Sequence, residues 1–170
     1  MARFPDDFSE DFSDEVRAEV LEWIKGEGIF KHEVKDEMAD WHYVVEFPLE
    51  SGQVSDIVMP KGKDFILVVS GLVFAEEHYK ALHALPPNKK KELIFRWKMD
   101  LLFRNAEFRM IPDDNAIQRI DFSMPVYLEE LTKPKLFEAL REVFKCKLYI
   151  IWQLNHHFGD SRGGVEAMYL

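Results

Sequence analysis

The chain has 170 residues, 47% of them hydrophobic and 14% aromatic, with 31 acidic against 22 basic side chains and a formal net charge of −9. That much apolar surface excludes a wholly disordered chain, and the length suits one domain that needs neither disulfide nor metal to hold its core. The negative total disfavours nucleic acids and anionic membranes as general partners, and the one cysteine, Cys146, leaves no intramolecular disulfide to form.

Residues 1–12 place Phe4, Phe8 and Phe12 among acidic residues with Pro5, and read as a flexible acidic arm. They lack the apolar run of a signal peptide. The longest apolar stretch, near Phe65–Ala75, is interrupted by Ser70 and Gly71 and is too short to span a bilayer, so a soluble, cytoplasmic chain is expected.

From Ser13 the pattern is helical. Val16, Val20, Trp23 and Ile24 recur at i, i+4, i+7 and i+8, with Ser13 placed as N-cap and Gly26 and Gly28 as the stop. The chain then turns strand-like over Ile29–Lys35 and breaks at residues 36–40. The aromatic and β-branched run Trp41–Phe47 reads as a strand. Val54–Met59 and Phe65–Ser70 follow, separated by the turn Pro60-Lys61-Gly62-Lys63-Asp64. The second has no polar alternation and is expected to be a central strand covered on both faces. These segments form an antiparallel meander.

Helical spacing returns over Ala75–His83, breaks at Pro86-Pro87 and resumes over Asn88–Arg104, where Leu93, Trp97, Leu101 and Phe103 are expected to line one side with Ile94 and Leu102 beside them. Two strands, Glu107–Ile111 and Ile117–Val126, are joined by the turn-forming Pro112-Asp113-Asp114-Asn115. A long helix from about Lys133 to Phe158 is capped by Thr132, carries Pro134 in its first turn and stops before Gly159. The organisation expected is an arm over 1–12, a single α+β domain over 13–158 and a tail over 159–170. Its sheet has about five antiparallel strands flanked by helices, in the order α-β-β-β-α-β-β-α.

No motif for catalysis stands out. His78 and His83 are five apart, so they fall on different helix faces, and the adjacent His156 and His157 do not face each other. His32 and His42 could meet across a hairpin near Glu33 or Glu46, which makes a metal-dependent enzyme the alternative reading. The paired acids Glu76-Glu77, Asp113-Asp114 and Glu129-Glu130 fit solvated turns and helix starts. There is no Gly-x-Ser-x-Gly elbow, and Cys146, between Lys145 and Lys147, sits among apolar neighbours as a small hydrophobe would. The basic stretch Lys89-Lys90-Lys91 with Arg96 and Lys98 encloses Trp97, a weak nucleic-acid pattern, but Trp97 shares the apolar stripe of Leu93 and Leu101. No cofactor, no metal and no catalytic residue is assigned.

The end of the last helix is different. Leu148-Tyr149-Ile150-Ile151-Trp152-Gln153-Leu154 turns through about 700°, whereas a helix packed on one side needs an apolar arc of little more than 100°. Leu140, Val143 or Phe144, Lys147 or Leu148, Ile151 and Leu154 fit one core-facing stripe, which leaves Tyr149, Ile150 and Trp152 partly off it. Either neighbouring elements cover them or a second chain does, and these three are the candidate partner-binding residues.

The order of elements over Ser13–Phe158 resembles the type III secretion chaperone-like fold. The stretches Val54–Val69 and Leu101-Leu102-Phe103-Arg104-Asn105 resemble segments of uncharacterised archaeal proteins assigned to that fold. The resemblance implies a small, acidic, commonly dimeric module that binds extended protein segments and does not catalyse a reaction. A homodimeric, chaperone-like or adaptor protein of the cytoplasm is therefore the expected function.

Overall fold

Five helical segments and six strands follow one another along residues 10–160, the part of the chain that the computed structural model describes. The helices are α1 (Glu10–Gly26), α2 (Glu76–His83), α3 (Pro87–Leu102) and α4 (Lys133–Phe158), with a short 3₁₀ turn at Leu128–Glu130. The strands are β1 (Phe30–Glu33), β2 (Ala39–Glu46), β3 (Val54–Pro60), β4 (Phe65–Val73), β5 (Glu107–Ile111) and β6 (Arg119–Tyr127). They form one antiparallel sheet in the order β1-β2-β3-β4-β6-β5.

The α+β class and the order of elements are as the sequence indicates, with six strands in place of about five. The strand-like Ile29–Lys35 is shortened to β1, whose Phe30-Lys31-His32-Glu33 carries no apolar alternation and is held by pairing Phe30, His32 and Glu33 with Val45, Val44 and Tyr43. Helix α1 starts at Glu10, so residues 10–12 of the expected arm are helical and Ser13 lies inside the first turns rather than at the cap. Residues 1–9 and 161–170, the rest of the expected arm and most of the tail, lie outside the described residues.

The chain packs as two compact units. Among the described residues the first takes 10–69 and 125–141, the second 70–124 and 142–160. Each unit draws on two separate stretches of sequence, so no linker or change of composition marks them.

In the first unit the period of two in β2 and β3 turns Trp41, Tyr43, Val45, Ile57 and Met59 to one face, where they are buried. Val16, Val20 and Ile24 of α1 and Leu136 and Leu140 of α4 complete that core. Arg17 ties α1 to the strands by donating Nε–H to the Tyr43 hydroxyl at 2.5 Å and pairing with Glu33 at 2.7 Å. Strand β4 departs from the expectation of two covered faces. Ile66 and Val68 are fully enclosed, whereas Phe65, Leu67 and Val69 are half-buried. An apolar run without alternation thus still has one inner and one outer side.

In the second unit the core gathers Leu72, Phe74, Leu82, Trp97, Ile120, Phe122 and Ile150. Phe74 meets Trp97 edge to face with ring centroids 6.4 Å apart. Gly71 permits a close approach in β4, because a Cβ there would lie 2.7 Å from the Arg119 guanidinium, which is paired with Asp121. Gly159 ends α4 in the left-handed region, φ +78°, with its N–H donated to the Asn155 carbonyl at 2.9 Å.

Leu140 has no exposed surface, so truncating it leaves a cavity in the first unit. Leu140→Ala is expected to destabilise the protein by about 2–5 kcal/mol. The measurement is a urea titration, read as a lowered midpoint at an unchanged slope.

Candidate functional site

Helix α4 begins on the cap that its sequence supplies: Thr132 Oγ1 accepts from the Lys135 N–H at 3.3 Å, and the Thr132 carbonyl accepts from the Leu136 N–H at 3.0 Å. Its second-unit half buries Val143, Cys146, Lys147, Ile150, Ile151 and Leu154. Lys147, an unusual member of that stripe, places Nζ 3.3 Å from the Ser70 hydroxyl.

The three candidate partner-binding residues separate. Ile150 has no exposed surface and belongs to the core, Tyr149 is half-buried, and Trp152 is 63% exposed. At about 100° per residue Trp152 stands some 200° round the helix from Ile150, on the side away from the core. The all-round apolar segment is therefore covered by its own unit except at Trp152, with Leu148 and Tyr149 on its margins.

These residues line a groove of about 430 Å³ with Leu101 and Arg104 opposite, and with Lys145 and Cys146 one turn earlier on α4. Polar clamps hold the two walls. The Tyr149 hydroxyl donates to Asp100, and Trp97 Nε1–H donates to Gln153 Oε1 at 3.3 Å. Arg104 donates a fork to both oxygens of Glu142, at 3.0 and 2.9 Å, and the Asn105 N–H adds a third bond to Glu142 at 3.1 Å. Asp100 and Arg104 are thereby engaged within the walls, and the floor is apolar and aromatic.

The groove's ionisable groups are poorly set for nucleophilic or base chemistry. Burial, and then the nearby Glu142 carboxylate, pushes the Cys146 thiol up to about 11 against the opposing pull of Arg104. Burial, and then the hydrogen bond to Asp100, raises the Tyr149 phenol. Both stay protonated at neutral pH, where neither a thiolate nor a phenolate is at hand.

The other candidate groups are dispersed. His32 stands opposite Val44 in register, not opposite His42. His42 lies between two carboxylates, Nδ1 at 3.0 Å from Asp36 and Nε2 at 3.6 Å from Asp56, but they flank opposite sides of the ring instead of converging on one point. The Met38 N–H and then His42 lower the Asp36 carboxyl. Glu33 pairs with Arg17 and Glu46 with Lys31. Among the described residues no three His, Cys, Asp or Glu side chains are gathered as metal ligands. His78 and His83 reach the carbonyls of Gly159 and Ile117 at 2.7 and 3.0 Å. In the basic stretch, Trp97 is fully enclosed and offers no ring to a base, Lys98 pairs with Asp114, and Lys90 donates to the Asn115 carbonyl.

One surface corrects the expected inner stripe of this helix: Phe103, expected to line it with Leu101, and Leu102, expected beside it, lie outside instead, because the helix ends at Leu102 and the stripe is already filled by Leu93, Trp97 and Leu101. Phe95, Met99 and Leu102 of α3, with Phe103 just after it, are 62%, 38%, 64% and 80% exposed. Their i, i+4, i+7 spacing was available in the sequence, but the stripe of Leu93, Trp97 and Leu101 already accounted for the helical period.

The family model described as "Uncharacterized conserved protein (DUF2299)" matches residues 16–154. The chain belongs to this family. No curated protein matches it. An uncharacterized protein from the archaeon Methanothermobacter thermautotrophicus, solved by crystallography, is similar at 29% identity, with a TM-score of 0.79 over 84% of this chain and 99% of that one. A chain of the HopA1-SchA chaperone-effector complex is similar at 10% identity, with a TM-score of 0.54 over 85% and 97% of the two chains. At that identity the likeness concerns the fold. Among the described residues of this DUF2299 member, no helix is long and apolar enough to cross a membrane.

The raised thiol gives a direct check on the groove. Between pH 7 and 9 iodoacetamide should label Cys146 at least tenfold more slowly in the folded protein than in urea, with labelling accelerating as pH rises toward about 11. Mass spectrometry of timed samples reads the rates, and equal rates in both states would contradict a buried, protonated thiol.

Proposed function

We propose that this chain is a non-catalytic protein-binding module of the cytoplasm, chaperone-like or adaptor in kind, that pairs with a second copy of itself through the α4 groove. The observation carrying this reading is Trp152: a large aromatic side chain, 63% exposed, beside an apolar groove in a helix whose other large apolar residues are covered. Aromatic anchors in apolar depressions are the usual centres of interfaces. Trp152 and Tyr149 would supply the contact, while Ile150 supports it from within the core.

Two further points agree with it. The protonated thiol and phenol favour recognition over reaction in the groove. The similar chain of the HopA1-SchA chaperone-effector complex belongs to a protein–protein assembly, so this fold serves protein binding elsewhere. An aromatic side chain fully buried at such a contact contributes roughly 1.5–3 kcal/mol.

Size-exclusion chromatography with light scattering tests self-association. The wild type is expected to elute as a dimer at micromolar concentration and Trp152→Glu as a folded monomer, since the exposed position tolerates the charge in a monomer. A wild type that is strictly monomeric overturns the pairing.

A further inference from the structure

Helix α3 carries apolar residues on two opposite sides. Leu93, Ile94, Trp97 and Leu101 are buried in the second unit. Phe95, Met99 and Leu102 fall within about 60° of one another on the other side, at about 100° per residue. Both Phe95 and Leu102 are more than 60% exposed, and Phe103 extends the strip past the helix end. A solvated helix face normally carries polar residues at such positions. Trp97, Asp100 and Arg104 of this segment hydrogen-bond to α4, and the exposed strip lies on the opposite side of α3 from them, a second surface apart from the Trp152 groove.

Charge indicates what this surface accepts. Helix α3 has five basic residues and two acidic ones, a net +3, in a chain whose total is −9. Lys91 flanks the strip on one side, and on the other Glu92 is followed by Arg96, whose charge also acts on Tyr149 and His157 of α4. Beside it, a groove of about 660 Å³ is lined by Ile94 and Phe95 with three lysines, Lys90, Lys91 and Lys98, against two acids, Glu92 and Asp114, of which Asp114 is paired with Lys98.

We propose that the outer face of α3 docks an acidic amphipathic helix of a protein partner. That partner would present large apolar residues one turn apart, to meet Phe95, Met99 and Leu102, with Asp and Glu placed toward Lys91 and Arg96. Helices are bound in this way when an apolar stripe meets an apolar groove, while complementary charges set orientation and association rate. This inference rests on the protein-binding reading, and it names that partner's chemistry, but it does not depend on pairing through Trp152.

Fluorescence anisotropy with a labelled synthetic 18-residue helix, leucine on one face and glutamate on the other, supplies the test. A charge-reversed version with lysine for glutamate serves as the control. The glutamate peptide should bind at least tenfold more tightly than the lysine peptide at low salt and weaken as salt is raised. The double variant Phe95→Asp, Leu102→Asp should lose at least tenfold in affinity, and Lys91→Glu severalfold, with circular dichroism confirming that each is folded. Trp152→Glu should bind the peptide as the wild type does, which separates this surface from self-association. Equal binding of the two peptides, undiminished binding by the double variant, or no binding overturns the proposal. Binding only to vesicles of phosphatidylglycerol and phosphatidylcholine overturns it too, in favour of membrane apposition.

Discussion

A helix packed against one side of a domain can hide little more than a third of its circumference, and the end of α4 is apolar nearly all the way round. The chain meets that constraint unevenly. Ile150, Ile151 and Leu154 are enclosed, Leu148 and Tyr149 are half-covered, and Trp152 is left outside. The groove and the polar contacts along its walls follow from where that uncovered remainder falls.

The walls are joined by charge-assisted bonds as well as by the packing of Trp97 and Leu101. Glu142 accepts from both arms of the Arg104 fork and from the Asn105 backbone, which anchors the end of α3 beside α4. The same carboxylate lies 3.9 Å from the Cys146 sulfur and, after burial, is the strongest influence holding that thiol protonated. One side chain thus both shapes the groove and keeps its nucleophile inactive. Tyr149 and Asp100 repeat the arrangement a turn later, where the hydrogen bond positions the ring and raises the phenol. In each pair the acid that orders the wall also removes a reactive group, which suits a surface made for contact.

Much of this architecture is legible in the sequence where local chemistry is strong. Thr132, Pro134 and Gly159 mark α4 as Lys133–Phe158, and Pro86-Pro87 divides α2 from α3, because cap, ring and glycine act on the backbone within a few residues. What escapes the reading depends on distant partners. Strand β1 has no apolar alternation, and its bounds within the strand-like Ile29–Lys35 are set by its ladder with β2. The half-exposed side of β4 cannot be told from Phe65, Leu67 and Val69, which are as apolar as the buried Ile66 and Val68. Ile150 and Trp152 look alike as excess apolar residues, and only packing decides that one is core and the other surface. On α3 the difficulty is a second stripe hidden behind the first: Leu93, Trp97 and Leu101 satisfy the period so well that Phe95, Met99 and Leu102 pass as its neighbours.

Helix α3 also shows how tertiary packing frees a face. Its first turn holds no acidic residue and its N-cap, Pro86, makes no side-chain cap bond, while Lys89, Lys90 and Lys91 crowd the positive end of the helix dipole. Taken by themselves these are unfavourable choices. They are offset by the inner stripe, above all by Trp97, which is fully buried against Phe74 and tied to Gln153. A helix held this firmly from inside does not need its outer residues for stability. The composition of that outer face is then free to answer to something other than folding, and here it combines exposed phenylalanine and leucine with a local positive charge that the rest of the chain opposes.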